Sequence, residues 1–232
     1  MATKFSDIIT NFAMHFIDDA RWQEELATNP AQFFRAKTRF LIGAIPRFNR
    51  PANIVAYLCD YTDAIFADYS YTVESYEPVS LVIDTGLTGF ELCSVGTVET
   101  LETGGVTYTP IPYEYNPETG EVTISNPPGT GTIINIDFYT DGQFTNDLDL
   151  TQKRIMGLCV AVDWYYKFAN NYLNVANLIQ DKSFSRNSVS EHIRVNTDRF
   201  RMLDGDLSSE LLRYEQSLYA LQNIPAIKLP KI

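Results

Sequence analysis

From residue 51 to residue 152 the chain contains no lysine, arginine or histidine, although its 232 residues include 18 lysines plus arginines. A stretch without cations has nothing to clamp phosphates or carboxylated substrates. At a net charge of −11, the chain as a whole is not built to hold nucleic acid over a distance. Histidine is scarce as well. His15 and His192 lie in separate segments with no DxH or HxxxH around them, so a histidine-based metal site or general base has almost no material. The three cysteines, Cys59, Cys93 and Cys159, are odd in number and far apart. They make neither a disulfide framework nor a CxxC site and read as small buried hydrophobes. No GxSxG elbow, P-loop or dinucleotide fingerprint occurs. No apolar run reaches the roughly 18 residues of a membrane span, and MATKFSDIITNFAMHF does not form a signal peptide. The expectation is a non-enzymatic chain without cofactor, metal or membrane contact, kept in a reducing cytoplasm until it is used.

What is present is core material and segregated acid. Hydrophobic residues make up 45% and aromatics 13%, enough to bury a real core. Residues 71–150 hold thirteen carboxylates, so this block carries −13 and its flanks together +2, which places compositional boundaries near 71 and 150. The longest helical pattern runs from Asp149 to Asp181, with Ile155, Leu158, Cys159, Val162, Tyr165 and Tyr172 among its inner positions. Val160, Ala161, Trp164 and Phe168 widen the apolar face, so this spine must be covered from several sides. Asp149 with Gln152 offers a capping box.

Before the acidic block, spacing predicts a first helix over 6–26. A second is opened by Asn29-Pro30, with Phe33, Lys37, Phe40, Leu41 and Ala44 inside. A third starts at Pro51, with Ile54, Val55, Leu58, Cys59, Ile65, Phe66 and Tyr69 on its face. From Val79 to Phe144 the period falls to 2, with turn signals at short intervals. Ile134, Ile136 and Phe138 oppose Asn135, Asp137 and Tyr139 in the clearest strand. After the spine, Ser190 is a cap for a last helix over 191–222. Its seam of Ile193, Phe200, Leu207, Tyr214 and Leu221 packs either on the spine or on another subunit.

The reading is therefore α+β: a bundle of about five helices carrying an inserted small antiparallel β-sandwich or barrel. Residues 1–74 supply the N-terminal helices, 75–146 the acidic β domain, 147–223 the spine and final helix, and 224–232 an extended tail. That tail is apolar at Ile227, Leu229 and Ile232 and positive at Lys228 and Lys231, which makes its three apolar residues the subunit-interface candidates.

Carboxylate pairs are the one catalytic material in quantity, and a glycoside-hydrolase acid and base could in principle be drawn from them. The block lacks the cations of a substrate clamp, so a solvated acidic surface is the reading preferred here. Asp137, Asp141, Asp147 and Asp149 are spaced like oxygen ligands but lack the EF-hand pattern. Arg35, Lys37, Arg39, Arg47 and Arg50 around the second helix form a weak nucleic-acid patch, the polar side of that helix or a face for an acidic neighbour. Tyr108, Tyr113 and Tyr115 are the aromatics a glycan- or host-surface-binding β-module would need on one sheet face.

Several of these residues carry a resemblance. Asp141, Gly142, Phe144, Asn146, Asp147, Leu148, Lys153, Arg154, Gly157, Leu158 and Cys159 belong to it, as do Trp164, Tyr165, Phe168, Ala169, Asn170, Asn171 and Asp181 to Phe184. With the hairpin YNPETGEVTI, they make the chain resemble the head-to-tail adaptor, or neck, proteins of tailed bacteriophages with a β insertion in a helical body. The resemblance covers residues 75–220, and the first seventy are alike only in kind. It implies a virion protein assembled in the host cytoplasm as a ring, commonly of about twelve subunits. Such a ring meets the portal protein and a tail or second neck protein and lets DNA pass without specific binding. It implies no catalytic residues.

Overall fold

The computed structural model describes residues 2–17, 19–74, 80–100, 106–178 and 186–222, with side chains described except at 100, 106, 168–178, 186–193, 221 and 222. The helix expected over 6–26 is two helices. The first, α1, runs as Phe5–Ile8, a π turn Ile9–Ala13 and Met14–Phe16, and α2 spans Ala20–Thr28. The break falls at Ile17, which is extended. Asp19 then caps α2 by accepting from the Arg21 N–H at 3.1 Å, a local bond that interrupts a continuous apolar spacing. Helix α3, Pro30–Ala44, begins as expected, with the Asn29 side chain accepting from the Gln32 N–H and proline in the first turn.

The third expected helix is cut short. Only Ile54–Leu58 is helical (α4), while Ile65–Thr72 is a strand. Its sequence IFADYSYT is rich in aromatic and β-branched residues, and it pairs over its whole length with Ile133–Thr140. That pairing outweighs a helical spacing shared by three residues.

The strands are β1 Thr3–Lys4, β2 Tyr61–Thr62, β3 Ile65–Thr72, β4 Ser80–Asp84, β5 Leu92–Thr100, β6 Val106–Pro110, β7 Tyr113–Asn116, β8 Glu121–Ser125, β9 Ile133–Thr140 and β10 Gln143–Phe144. They form three antiparallel sheets, ordered β1-β10-β2, β3-β9-β5-β6 and β4-β8-β7. The expectation of a five-helix bundle with one inserted sandwich or barrel is thus overturned. Among the described residues there are six helices and three separate small sheets of three or four strands. Two physical reasons account for it. The strands of the first sheet are two residues long, too short to show a period, and they come from three distant parts of the chain. In addition, β3 is recruited from residues that carry a helical spacing.

Helix α5, Leu150–Leu178, is the expected spine. Asp149 Oδ1 accepts from the Gln152 N–H and Gln152 Oε1 from the Asp149 N–H, both at 2.8 Å, a reciprocal cap. Helix α6, Arg186–Gln222, begins before Ser190, which lies inside it and is not its cap. Leu203, Leu207, Leu211 and Tyr214 are buried against the body, and the Tyr214 hydroxyl accepts from Gln152 Nε2 at 2.8 Å. Over that span the seam is intrachain, while the side chains of Ile193 and Leu221 lie outside the described residues. Helices α1 and α5 touch at Gly157, where an added Cβ would stand 2.6 Å from Phe12 Cβ and 2.9 Å from the Ala13 nitrogen. One apolar cluster fills the helical body, and a second is shared by β4, β5, β8 and β9.

Candidate functional site

The acidic strands meet the helical body along one face of α3. Asn29, whose oxygen caps the helix, donates from Nδ2 to Asp137 Oδ2 at 2.9 Å, and Gln32 Nε2 donates to Asp137 Oδ1 at 2.7 Å. The buried Ser94 hydroxyl on β5 accepts from the Ala31 N–H at 3.0 Å. Farther along the helix, Phe34 stacks on Tyr139 with ring centroids 5.2 Å apart, and Arg35 pairs with Asp68 at 2.5 Å. The Tyr139 hydroxyl donates to Asp141, whose carboxylate also accepts from the Ser6 hydroxyl at the start of α1. Burial first, then this carboxylate acceptor, hold the Tyr139 phenol far above its ordinary range.

The four aspartates with ligand-like spacing are therefore dispersed among structural roles. Asp137 and Asp141 tie strand β9 to α3 and α1, Asp147 accepts from the Thr3 hydroxyl, and Asp149 caps α5. Among the described residues, no cluster of three or more histidines, cysteines or carboxylates is arranged to hold a metal ion.

The basic group around α3 is dispersed in the same way. Lys37 is 3% exposed, with its ammonium 2.7 Å from Glu25 and 4.7, 4.8 and 5.4 Å from the rings of Trp22, Trp164 and Phe33. A cation taken from water is held here by one carboxylate and three π faces. Arg47 and Lys167 both meet the buried Asp163, and Arg50 meets Glu215. Arg39 alone of the group stands exposed on α3 with no ion pair described. Four of the five cations thus hold the fold together, which leaves little for phosphates.

The tyrosines form no platform. Tyr113 and Tyr115 lean on the β-sheet core, with hydroxyls donating to the Cys93 and Leu87 carbonyls, and the Tyr108 ring covers Gly96 with its hydroxyl buried. Burial pushes the Tyr113 phenol and the Cys93 thiol each up to about 12. A groove of about 620 Å³ runs between α2, α3 and β6, lined by Glu24, Glu25, Gln32, Lys37 and Tyr108.

The exposed acid sits on the outer face of β4-β8-β7. Asp84 and Glu121 are directly paired, Glu114 faces Thr123, and Val82 is 57% exposed between them. Like charges so placed repel. Each is turned toward its own loop, Asp84 accepting from the Gly86 N–H and Glu121 from the Thr119 hydroxyl. Ile227, Leu229 and Ile232 lie outside the described residues.

Sequence reading offered the cations of α3 as a face for an acidic neighbour, as Arg35 is for Asp68, but missed the hydrogen bonds of Asn29 and Gln32 to Asp137, although their signals were partly visible. A capping asparagine has an amide to spare, and Asp137 stands on the outward side of the clearest strand. Comparisons with protein-family models, with curated proteins and with solved structures return no match.

Proposed function

We propose that this chain is a structural virion protein of a tailed-bacteriophage neck, a ring of like subunits that joins the portal to the tail and lets DNA pass. The observation that carries the reading is α6. One side of this helix is buried on its own subunit through Leu203, Leu207, Leu211 and Tyr214, and the far side exposes Val195, Met202 and Leu212. At 1.5 Å per residue, 37 residues make a rod of roughly 55 Å, long enough to reach beyond one body. Exposed apolar residues, set among polar ones such as Asp198, Ser209 and Gln216 along so long a helix, suit a heterologous contact that closes into a ring. The face around Asp84, Glu114 and Glu121 supports passage of DNA, since clustered carboxylates repel phosphates and let a duplex slide. Roles as structure and not as catalyst suit a molecule whose carboxylates at 137, 141, 147 and 149 are engaged within the fold.

The test is the mass of the purified protein, alone and mixed with its portal. A ring, or a stoichiometric complex with the portal, is expected, together with blank glycan arrays and hydrolase screens. A monomer that ignores the portal, or a saturable glycan signal, overturns the reading. The alternative, a glycan- or host-surface-binding β-module, is not favoured by any described feature, because Tyr113 and Tyr115 are committed to the β-sheet core.

A further inference from the structure

Unpaired sheet edges are templates for another chain. Among the described residues the longest edge is β3, eight residues with neither proline nor lysine. The opposite edge of that sheet, β6, ends in Pro110, and the edges of the other two sheets are two to five residues long. The register pairs Ile65 with Thr140 and Tyr71 with Ile134, and the Val73 N–H donates to the Thr132 carbonyl at 3.0 Å. Antiparallel alternation then turns the backbone groups of the odd-numbered residues toward β9. Those of Phe66, Asp68, Ser70 and Thr72 turn outward, four residues' worth of donors and acceptors. On the core side of the strand, Ala67, Tyr69 and Tyr71 are only half-buried over the β-sheet cluster. On the other side Asp68, although paired with Arg35, keeps its side chain 55% exposed, and the exposed carboxylates of Asp63 and Glu74 flank the strand.

We propose that segment 223–232 of a second copy adds to this edge as a fifth strand. Its sequence NIPAIKLPKI supplies what the edge lacks. Between Pro225 and Pro230, alternation puts Ile227 and Leu229 on one side and Lys228 on the other. The two apolar side chains cover the half-exposed Tyr69 and Tyr71. Lys228 turns toward Asp68, and Lys231 reaches the carboxylate at one end of the strand. Four residues pair over roughly 13 Å of an edge about 27 Å long, and the two prolines confine the pairing to those four. Backbone bonds supply the affinity and alternate side chains the register, as in other strand additions. The inference deepens the ring reading and rests on it for the identity of the second copy.

The test uses the full chain with Cys59→Ser in every version. One preparation carries Ser70→Cys and another Lys228→Cys. Mixed under mild oxidation, they are expected to form a disulfide-linked heterodimer at least tenfold faster than a control pair of Lys228→Cys with Thr130→Cys. Ser70→Pro and Thr72→Pro remove outward N–H groups that no strand of the same copy uses. Thr72→Pro should leave the melt unchanged, Ser70→Pro should lower it only by the loss of the exposed Ser70 hydroxyl bond to Asn135, and both should weaken self-association tenfold or more by light scattering. Should either proline variant fail to fold, the double change Lys228→Glu and Lys231→Glu gives the same reading. Unchanged association in these variants, with no preferential cross-link, overturns the added strand while leaving the ring reading standing. A wild-type chain that neither associates nor cross-links overturns both. Cross-linking only when both cysteines sit in one chain shows that the segment covers its own edge, and it overturns the second-copy proposal.

Discussion

Replacing Trp22 by alanine tests whether the helical body is pinned where the Lys37 ammonium meets the rings of Trp22, Phe33 and Trp164. The indole is 1% exposed and stands edge-on to Phe33 and Trp164 at 5.7 and 5.3 Å, under the Lys37 ammonium. Truncating a buried aromatic costs about 3–5 kcal/mol. Two further effects oppose each other. Losing one of the three π faces around a desolvated ammonium costs up to about 2 kcal/mol. Trp22 Nε1 has no acceptor, however, and removing a buried unsatisfied N–H returns about 1–3 kcal/mol. The two roughly cancel, leaving about 3–5 kcal/mol, a fall in Tm of about 6–20 °C for a chain of this size. Circular dichroism melts of Trp22→Ala, Trp22→Phe and Trp164→Ala measure it. Trp22→Phe keeps a face for Lys37 and should lose only about 1–2 kcal/mol, and the half-buried Trp164 should cost less than Trp22. A Trp22→Ala melt within about 2 °C of wild type would refute the reasoning, because it would mean that α2 is not anchored by this residue.

Gly157→Ala should destabilise by about 1–3 kcal/mol, since its new methyl meets backbone atoms of Phe12 and Ala13 that cannot rotate away; an unchanged denaturant midpoint would show that α1 is not seated there. Thiol labelling of the native protein should reach only the exposed Cys59, because burial raises the Cys93 and Cys159 thiols and closes them to reagent. Prompt reaction of either would contradict their placement. Hydrogen bonding from Arg21 lowers the Asp19 carboxyl in the folded state, so its contribution to stability is present above the unfolded value, near pH 4, and is lost as the pH falls through the lower folded value. Asp19→Asn should keep the cap yet flatten that part of the acid-stability profile, and an unaltered profile would dismiss the link.

How much of this was legible depends on whether a residue's partner lies nearby in sequence. The Asp149 and Gln152 cap, the Asn29-Pro30 start and the inner faces of α3 and α5 are local arrangements, and local chemistry announces them. The last turns of the expected third helix were lost because Ile65, Phe66 and Tyr69 satisfy a helical spacing and a strand composition equally. Only the pairing with Ile133–Thr140, some seventy residues on, decides between them. The joint was hidden for the same reason, since Asn29 and Asp137 are far apart in sequence and each has a sufficient local explanation.

Charge shows the same limit with a functional consequence. Composition alone gave a cation-free block of −13 and left its carboxylates as one solvated surface, whereas the fold divides them. Asp137 and Asp141 face the helical body and are matched there by Asn29, Gln32 and Ser6, as Asp68, just before the block, is matched by Arg35. Asp84, Glu114 and Glu121 face outward, and the repulsion between the first and last is relieved only by their own turns. The block is thus a joint on one side and a field on the other. If the ring reading holds and the field side lines the channel, it is the one a passing polyanion would meet, and neutralising Asp84, Glu114 and Glu121 to amides should leave the fold intact, since none of the three bonds the body. If the ring reading holds, the same triple change should slow DNA passage or make the ring retain DNA at low salt, an effect that fades as salt screens the charges. A ring that handles DNA identically with and without these three charges would put the acidic face on the outside of the neck.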